Sequence, residues 1–421
     1  MNVDVLVIGA GTAGLTASTR LAHAGLRVLL VATGEGSLPL ATGTIDVLGY
    51  SPGLVSSPFE ALPTFLHANP EHPYRIAGID GVEHALAWLA ETAESLGYQG
   101  GLVRNRWVPT VLGGLRPTSM LPRSMVSADL HANAHAEIVV AGIRGYRDFH
   151  PALLAANLCL ATPPSGGRTI RARATEVEWP GNSSDLVPFR LARRLEEAAV
   201  RREIANRIRP SLGGATAVAM PALLGRERWD EVHRDLEGRL ERDVFEVPGL
   251  PPSLPGLRLS DCLRRALRRA GGRLLLGSSA VSATRVDGEV RSVTVTQAAR
   301  HTEVKAGFVI LATGGFAAGG IARDRDGTLR EPLLGLPVHG PQVGAEPTSP
   351  RFLGSQPLDR AGVRTDPTGR PLDTAGEPWA RNLYAAGAVL AGAVPWREKS
   401  GEGVALATAW AVTGAILGGA Q

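Results

Sequence analysis

The 421-residue sequence contains only two cysteines, and this shortage excludes several kinds of metal site. Cys159 and Cys262 stand alone, with no C-x-x-C pair, so this chain by itself cannot assemble an iron–sulfur cluster or a structural zinc site. Two isolated cysteines are typical of buried thiols in a reducing compartment. We therefore expect no metal site in this chain.

Lysine is almost absent, because it occurs only at positions 305 and 399, and arginine supplies the rest of the positive charge. The formal charge is +4, but no run of basic residues is interleaved with aromatic residues, which make up 5% of the chain. This pattern argues against a nucleic-acid partner. The apolar share of 44% and the charged share of 20% are those of a globular protein long enough for two domains.

Neither end of the sequence predicts a membrane segment. The N-terminus carries Asp4 and lacks the basic region of a signal peptide. Residues 403–421 are uncharged and approach the apolar content of a membrane span, but they are rich in Ala, Gly and Thr and have no basic flank. We interpret this stretch as a buried helix and expect no direct membrane span.

The segment VLVIGAGTAG, residues 5–14, predicts a phosphate-binding turn. A buried strand leads into Gly9, Gly11 and Gly14, which have the G-x-G-x-x-G spacing, and an apolar helix follows. We expect Gly9 to form the tight turn, Gly11 to let the backbone approach a phosphate, and Gly14 to pack the helix on the strand. The free N–H groups of the helix N-terminus favour an anion there. The sequence therefore predicts a nucleotide-binding domain.

Two later motifs change this prediction from a general nucleotide site to a flavin site. FVILATGGF places Thr313 and Gly314 directly after a buried strand, and NLYAAG ends at Gly387. Gly401 and Gly403 then open the last helix, whose N-terminus could stabilise negative charge on a reduced flavin ring. The order of these motifs favours a two-part flavin fold over a nicotinamide dehydrogenase.

The second strand, RVLLVAT, lacks the acidic residue that usually binds the ribose of an adenosine. Ala32 occupies that place, and Glu35 lies beyond the strand. This departure favours a mononucleotide. The loop that follows is rich in small hydroxyl and glycine residues, and we expect Gly43 and Thr44 in it to contact the flavin ring or ribityl chain. A plain surface loop is the alternative.

The predicted fold class is α/β, with a Rossmann-like flavin-binding domain and an inserted α/β cap domain. Residues 1–55 and 260–421 would form the discontinuous flavin-binding domain. Residues 56–259 would form the inserted cap on the substrate side, because they contain a second series of alternating strands and helices. An Asp-Gly pair at 287–288 predicts a hairpin in the main domain.

Several segments resemble the B subunits of anaerobic glycerol-3-phosphate dehydrogenase, which are glutathione-reductase-type flavoproteins of the fumarate-reductase-like branch. The segments are TGTIDVLGY, HPY, LGGLRPT, GIRGYRDFHPALLAANL, AMPALLG, LPPSLPGLRL and ATGGFAAGGI. The resemblance extends from about Val3 to Ile416. The WREKSGEG turn departs from it, because the compared family members have a glycine-richer turn without these charges.

The resemblance implies a subunit of a quinone-linked complex of anaerobic respiration that oxidises sn-glycerol 3-phosphate to dihydroxyacetone phosphate. It implies an A subunit that carries FAD and an iron–sulfur C subunit that anchors the complex to the inner face of the cell membrane, with this chain cytoplasmic. It implies FMN as the cofactor of this chain, with FAD as the alternative. The flavin contacts that it implies are Gly9, Gly11, Gly14, Gly43, Thr313, Gly314, Gly387, Gly401 and Gly403.

The expected reaction is hydride transfer from C2 of the polyol phosphate to flavin N5, while a base removes the hydroxyl proton. Arg116, Arg351 and Arg397 are candidates to bind the substrate phosphate, because arginine binds oxyanions with two parallel hydrogen bonds. His150 and His339 are candidates for the base. A surface or structural role is the alternative for each of the five.

Two other functions stay open from the sequence. One is a stand-alone FAD oxidoreductase of the fumarate-reductase or ketosteroid-dehydrogenase type. The other is a non-catalytic subunit that keeps the fold but has lost flavin binding. The flavin that the purified protein releases would distinguish the three functions.

Overall fold

The computed structural model of the protein describes residues 1–132, 135, 137–162, 169–181 and 186–419. The strands are β1 (Asn2–Ile8), β2 (Val28–Ala32), β3 (Gln99–Gly100), β4 (Arg106–Pro109), β5 (Leu115–Thr118), β6 (Met120–Leu121), β7 (Ile138–Ile143), β8 (Ala172–Val177), β9 (Ala217–Pro221), β10 (Asp243–Val247), β11 (Arg273–Leu276), β12 (Ser278–Val286), β13 (Glu289–Gln297), β14 (Arg300–Leu311), β15 (Ala322–Arg323), β16 (Leu329–Arg330), β17 (Val338–His339), β18 (Gly362–Val363) and β19 (Leu383–Ala385). The α-helices are α1 (Thr12–His23), α2 (Pro58–Ala68), α3 (Tyr74–Thr92), α4 (Pro151–Leu160), α5 (Pro188–Leu195), α6 (Ala198–Ile208), α7 (Trp229–Leu240), α8 (Leu254–Arg269), α9 (Pro395–Glu398) and α10 (Gly401–Gly419).

The chain divides into two compact units, whose boundaries differ from those expected. The first unit contains Met1–Ser37, Phe59–Thr92 and the described part of Asp261–Gln421, and the second contains Leu38–Pro58 and Ala93–Ser260. Residues 59–92, which we expected in the cap, belong to the first unit because α3 packs along α10. Residues 38–55, expected in the flavin domain, belong to the second unit, where the backbone at Ile45 bridges to Met120. The role of the second unit as a cap stays a prediction.

The first unit is built on a seven-stranded sheet with the order β11-β2-β1-β14-β13-β12, and β19 pairs with β14. The strands β11, β2, β1, β14 and β19 are parallel neighbours, which is the strand order of a doubly wound nucleotide-binding sheet. Ile8 at the end of β1 pairs with Val31 of β2 and Leu311 of β14, so the carboxyl ends of these strands meet at one edge. The α/β fold class is confirmed.

The strands β1 and β2 consist mostly of valine, leucine and isoleucine because both faces of this sheet are covered. Val5, Leu6 and Val7 are fully buried, and so are Leu29 and Leu30. Continuous apolar runs of this kind are typical of parallel strands between helical layers.

The strands β12 and β13 form the hairpin that the Asp-Gly pair predicts. Asp287 has φ 51° and Gly288 has φ 74°. A two-residue hairpin turn of this type requires positive φ at both central positions, which Asp and Gly tolerate. The hairpin is confirmed, and it extends the sheet through antiparallel pairing of β13 with β14.

The second unit has its own four-stranded sheet with the order β10-β9-β7-β8, in which all strands are parallel. Its core includes a buried ion pair between Arg258 and Glu246, whose side chains are 3% and 0% exposed. Ser124 and the Leu224 N–H also donate to the Glu246 carboxylate, at 2.6 and 2.9 Å. A buried charge is tolerated only when it is paired and hydrogen-bonded in this way.

The uncharged stretch near the C-terminus forms α10, which packs against α1 and α3 within the first unit. By length and composition α10 could cross a membrane, and half of its most apolar stretch is buried in the protein. Arg20 of α1 lies over the Trp410 ring at 3.3 Å and donates to the Trp410 carbonyl oxygen at 2.6 Å. The helix that the sequence predicts is therefore present and joined to the nucleotide-binding sheet through α1.

Candidate functional site

The glycine-rich turn follows β1 at the carboxyl edge of the main sheet. Gly9 has φ 112°, and a Cβ added there would lie 2.1 Å from the Ala312 carbonyl oxygen. A Cβ at Gly14 would lie 1.8 Å from the Gly9 carbonyl oxygen. These two positions therefore admit only glycine, because backbone atoms occupy the space of a side chain.

Gly11 differs from its two neighbours in the motif. A Cβ added there would have Ser37 Oγ, at 3.9 Å, as its nearest neighbour. Its φ of −75° and ψ of −174° are open to any residue, and no side chain caps α1 at this position. Protein packing does not require a glycine here, so the close approach of a ligand to the backbone is the remaining physical reason for one.

A cleft of about 460 Å³ lies at this edge, within the range of about 300–1,000 Å³ that is usual for small-molecule sites. It is formed by the ends of β1, β14 and β19, the starts of α1 and α10 and several loops of the first unit. The lining residues are Gly11, Thr12, Ala13, Ser37, Ala312, Gly314, Gly315, Phe316, Ala317, Ala318, Leu358, Asp359, Ala361, Ala386, Gly387, Ala388, Leu390, Ala393, Pro395, Gly401, Glu402, Val404 and Ala405.

The cleft lies where the strand order of the main sheet reverses, between β1 and β14. The chain passes from β1 to β2 and β11 on one side, whereas β14 and β19 lie on the other side. Ligands of open α/β sheets bind outside the carboxyl ends of the strands at such a switch point. The topology and the cleft therefore indicate the same place for a nucleotide.

The wall of the cleft is made mostly of glycine and alanine, and it presents few polar side chains. The charged lining residues are Asp359 and Glu402, and no described lining residue is basic. Beside Gly314, the Thr313 hydroxyl oxygen is buried and has no hydrogen-bond partner in the described protein.

Gly387, which follows β19, contacts both α1 and α10. Its φ is 79°, and an added Cβ would lie 2.9 Å from the Ala13 Cβ. Its N–H donates to the Thr408 hydroxyl at 2.9 Å, and this hydroxyl donates to the Val404 carbonyl oxygen at 2.6 Å. The three elements that meet at the cleft are thereby held together by close packing and by the Thr408 side chain.

The WREKSGEG turn before α10 is held by a buried network that the sequence did not predict. The Glu398 carboxylate accepts hydrogen bonds from Ser400 Oγ at 2.8 Å and the Val394 N–H at 2.9 Å, and it lies 3.2 Å from His72 Nε2. The His72 and Glu398 side chains are 0% and 8% exposed. Burial by itself raises the pKa of Glu398, but the hydrogen bonds from His72, Val394 and Ser400 hold that pKa below its usual value.

Of the predicted flavin contacts, four line the cleft: Gly11, Gly314, Gly387 and Gly401. Four others lie next to lining residues in the first unit: Gly9, Gly14, Thr313 and Gly403. Gly43 and Thr44 lie in the second unit with Arg116 and His150.

In the second unit, Arg116 organises the loop that contains Gly43 and Thr44. Its guanidinium forms an ion pair with Asp46 and donates to the Thr42 hydroxyl at 3.0 Å and the Thr44 hydroxyl at 3.4 Å. The Thr44 hydroxyl in turn donates to Asp46 at 3.1 Å. The charge of Arg116 is thus neutralised locally, and its side chain is 14% exposed.

The other candidate substrate residues are exposed. Arg351 and Arg397 lie in one part of the first unit, where Arg397 Nη2 donates to the Leu353 carbonyl oxygen at 2.8 Å. His339 is 42% exposed and lies 3.5 Å from a carboxylate oxygen of Glu71. His150 is exposed just before α4 of the second unit. None of these candidates is among the described lining residues of the cleft.

As the sequence predicts, β2 does not end in the acidic residue that usually binds an adenosine ribose. Ala32 ends the strand and is 7% exposed. The Glu35 carboxylate, further along, accepts a hydrogen bond from Arg264 Nη1 at 3.1 Å. In the described residues no group of three or more His, Cys, Asp or Glu side chains is placed to hold a metal ion.

Comparisons with known proteins identify the family of this chain. The FAD binding domain family matches residues 4–404. A relative from Halobacterium salinarum, named as a probable B subunit of anaerobic glycerol-3-phosphate dehydrogenase, is 37% identical over 424 aligned residues, which cover 97% of this chain and 96% of the relative. Two proteins named as B subunits of the same dehydrogenase are each 31% identical. The alignment with the Glaesserella parasuis protein covers 99% of this chain and 100% of that protein. The alignment with the Vibrio cholerae protein covers 99% of this chain and 97% of that protein. The chain therefore belongs to the family of anaerobic glycerol-3-phosphate dehydrogenase B subunits, within the FAD-binding oxidoreductases.

Proposed function

We propose that this chain is the flavin-bearing B subunit of a quinone-linked glycerol-3-phosphate dehydrogenase. It would oxidise sn-glycerol 3-phosphate to dihydroxyacetone phosphate, or relay the electrons of that oxidation. The observation that supports this most strongly is the cleft at the switch point of the main sheet, in a chain that aligns over nearly its full length with named B subunits. When bound, the flavin would supply the hydride acceptor.

The cleft residues fit a flavin nucleotide. Gly11 leaves its backbone open to a phosphate at the N-terminus of α1, where the helix dipole favours negative charge. The N-terminus of α10 at Gly401 would stabilise negative charge on the reduced ring.

Within the flavins, we propose FMN as the cofactor of this chain. FMN has no adenosine, and β2 ends in Ala32 where an adenosine ribose is usually bound. The Glu35 carboxylate is engaged by Arg264, whose side chain is 9% exposed. Both observations support a site that holds its ligand by one phosphate and the ring. FAD is the alternative, and the match to the FAD binding domain family supports it.

The substrate would need an arginine for its phosphate and a base for its hydroxyl proton. The Arg351 and Arg397 side chains are exposed and therefore accessible to a substrate. The Arg116 guanidinium already pairs with Asp46, so it would have to bind this carboxylate and the substrate phosphate together. We propose His339 or His150 as the base. Each Arg→Ala substitution tests one candidate, because loss of a charge-assisted phosphate contact of about 1.5–3 kcal/mol would raise the KM for glycerol 3-phosphate by about 10- to 150-fold.

We also propose the partners that the resemblance implies, namely an FAD-carrying A subunit and an iron–sulfur C subunit at the inner face of the membrane. The two cysteines of this chain, Cys159 and Cys262, form no disulfide and lie at separate places. Electrons that reach the flavin would therefore leave through a redox group of another subunit. The word subunit in the names of the relatives supports a complex of this kind.

The test is to purify the protein with its companion subunits, add sn-glycerol 3-phosphate without oxygen, and follow bleaching of the flavin absorption. Loss of the flavin absorption that occurs only when this chain is present supports the proposal. Release of FAD with activity on fumarate or an enone, without any partner, would instead support a stand-alone oxidoreductase. A colourless protein that takes up neither FMN nor FAD would indicate a structural subunit and would overturn the proposed function.

A further inference from the structure

Two neighbouring segments of the first unit expose large apolar side chains: Phe352, Leu353 and Trp396, which we call the apolar rim. Phe352 is 91% exposed, Leu353 76% and Trp396 45%. Arg397 connects the two segments, because its Nη2 donates to the Leu353 carbonyl oxygen at 2.8 Å and its guanidinium lies 4.9 Å from the centre of the Trp396 ring. Single exposed apolar side chains are normal, whereas a group of them indicates an interaction surface.

The loop that carries Phe352 and Leu353 is held in its conformation by Gln356. The side-chain oxygen of Gln356 accepts from the Ser349 N–H at 2.7 Å. Its amide nitrogen lies 2.9 and 3.2 Å from the carbonyl oxygens of Arg351 and Phe352. These contacts involve the loop backbone and leave the two apolar side chains in solvent. A loop that is already ordered loses less conformational freedom when a partner binds, which favours affinity.

Both segments of the apolar rim continue into the wall of the cleft. Pro395, the first residue of α9, lines the cleft, and Trp396 follows it directly. The loop that carries Phe352 leads into Leu358, which is also a lining residue. A protein that covers the apolar rim would therefore lie beside the cleft.

Electrons that leave a flavin in this cleft need an acceptor on another protein. The cysteines of this chain form no disulfide, and the described residues contain no group of three or more His, Cys, Asp or Glu side chains that could hold a metal ion. The accepting protein has to approach the flavin, and the apolar rim adjoins the cleft where the flavin would bind. Phenylalanine, tryptophan and arginine are enriched in protein interfaces, and tryptophan and arginine often dominate their binding energy.

We propose that the apolar rim is the docking surface for the subunit that accepts electrons from the flavin. The partner would place an apolar patch on the rim. On residues 346–356 and on α9, the exposed charged side chains are those of Arg351, Arg397 and Glu346, so this surface is net positive. The partner should therefore carry acidic side chains around its apolar patch. This inference rests on the proposed function, because it takes the cleft as the flavin site.

The test is a rim variant that combines Phe352→Ser with Leu353→Ser, whose affinity for the companion subunits is measured by titration. The matched control combines Val281→Ser with Val286→Ser, because these apolar side chains are exposed on β12 of the same unit and are not among the described lining residues. Loss of central interface side chains should weaken binding by about 30-fold or more, whereas the control should stay within about threefold of the wild type. Both variants should keep the wild-type flavin content and melting temperature.

Quinone reduction by the reconstituted complex separates a docking role from damage to the flavin site. With the companion subunits near the wild-type dissociation constant, the rim variant should transfer electrons slowly. Raising their concentration by about 30-fold should restore the wild-type rate, because only the binding step is impaired. A rim variant that binds the companion subunits like the wild type overturns the inference, and so does one that has lost its flavin.

Other occupants of the apolar rim give different results. Binding of the wild-type chain alone to vesicles of anionic phospholipid, lost in the rim variant while the complex still assembles, overturns the inference in favour of a membrane surface. A dimer of the chain alone that behaves in the same way overturns it in favour of a second copy. If the rim variant does not fold, Phe352→Ser alone should weaken binding of the companion subunits by about tenfold, and an unchanged affinity overturns the inference. A wild type that takes up no flavin overturns the proposed function, whereas the affinity for the companion subunits still tests the docking.

Discussion

The substitution Gly11→Ala separates the folding role of the glycine motif from its binding role. The added methyl group meets no protein atom closer than Ser37 Oγ at 3.9 Å, and the φ and ψ of Gly11 suit alanine. We therefore expect the flavin-free protein to be as stable as the wild type, or more stable by about 0.4–1 kcal/mol, because alanine restricts the unfolded chain. Gly14→Ala is the contrast, since its Cβ would lie 1.8 Å from the Gly9 carbonyl oxygen and overpacking costs about 1–3 kcal/mol.

Flavin affinity, in contrast to stability, should fall in Gly11→Ala. Gly11 lines the cleft, so its new methyl group occupies the space through which a phosphate reaches the backbone. Loss of one charge-assisted hydrogen bond, about 1.5–3 kcal/mol, weakens flavin binding by about 10- to 150-fold.

The assay combines thermal unfolding of the apoproteins with titration of apoprotein by flavin, followed by fluorescence. Gly11→Ala should keep its melting temperature and lose affinity, whereas Gly14→Ala should lose stability before any ligand is added. A Gly11→Ala protein with wild-type flavin affinity would refute the phosphate position. A Gly11→Ala protein that unfolds would refute the packing argument.

Three further substitutions test the surrounding structure by urea or thermal unfolding. Thr408→Val leaves the Gly387 N–H without its acceptor and should cost about 1–3 kcal/mol, and an unchanged stability would contradict the role of this contact. Asn382→Ala leaves one N–H and two carbonyl groups of β13 and β14 unpaired and should cost a similar amount. Glu246→Gln breaks the buried pair with Arg258 and should cost about 3–5 kcal/mol at neutral pH. Burial raises the pKa of Glu246, but the Arg258 charge and the hydrogen bonds outweigh it and hold that pKa below its usual value. The stabilisation is then complete above the unfolded pKa of about 4.3 and is lost as the pH falls below it, so the Gln variant should show a weaker acid dependence of unfolding.

The sequence predicted the parts of the fold that depend on local pattern. The glycine turn at 9–14, the buried strands around it and the Asp-Gly hairpin follow from periodicity and from the φ angles that glycine allows. Four of the predicted flavin glycines line one cleft because parallel strands end at the same edge. Short-range chemistry determined each turn, and the order of the parallel strands brings the four glycines together.

Features that depend on distant contacts were not predictable in this way. His72 and Glu398 are 326 residues apart, and nothing in either segment indicates the other as its partner. The helix α3 has an apolar face, but the sequence does not say which helix covers it, so its segment was expected in the other unit. The candidate arginines were chosen by residue type and by their place in loops expected to reach the flavin, and only the structure shows that Asp46 engages Arg116.

The most direct test of the account is to denature the purified wild-type protein and to identify and count the flavin that it releases. The account predicts one FMN per chain of the wild type and less bound FMN in the Gly11→Ala protein. Released FAD would contradict the mononucleotide proposal while keeping the flavin site. A wild-type protein without flavin, which also fails to take up FMN or FAD, would contradict the central claim that this cleft is a flavin site.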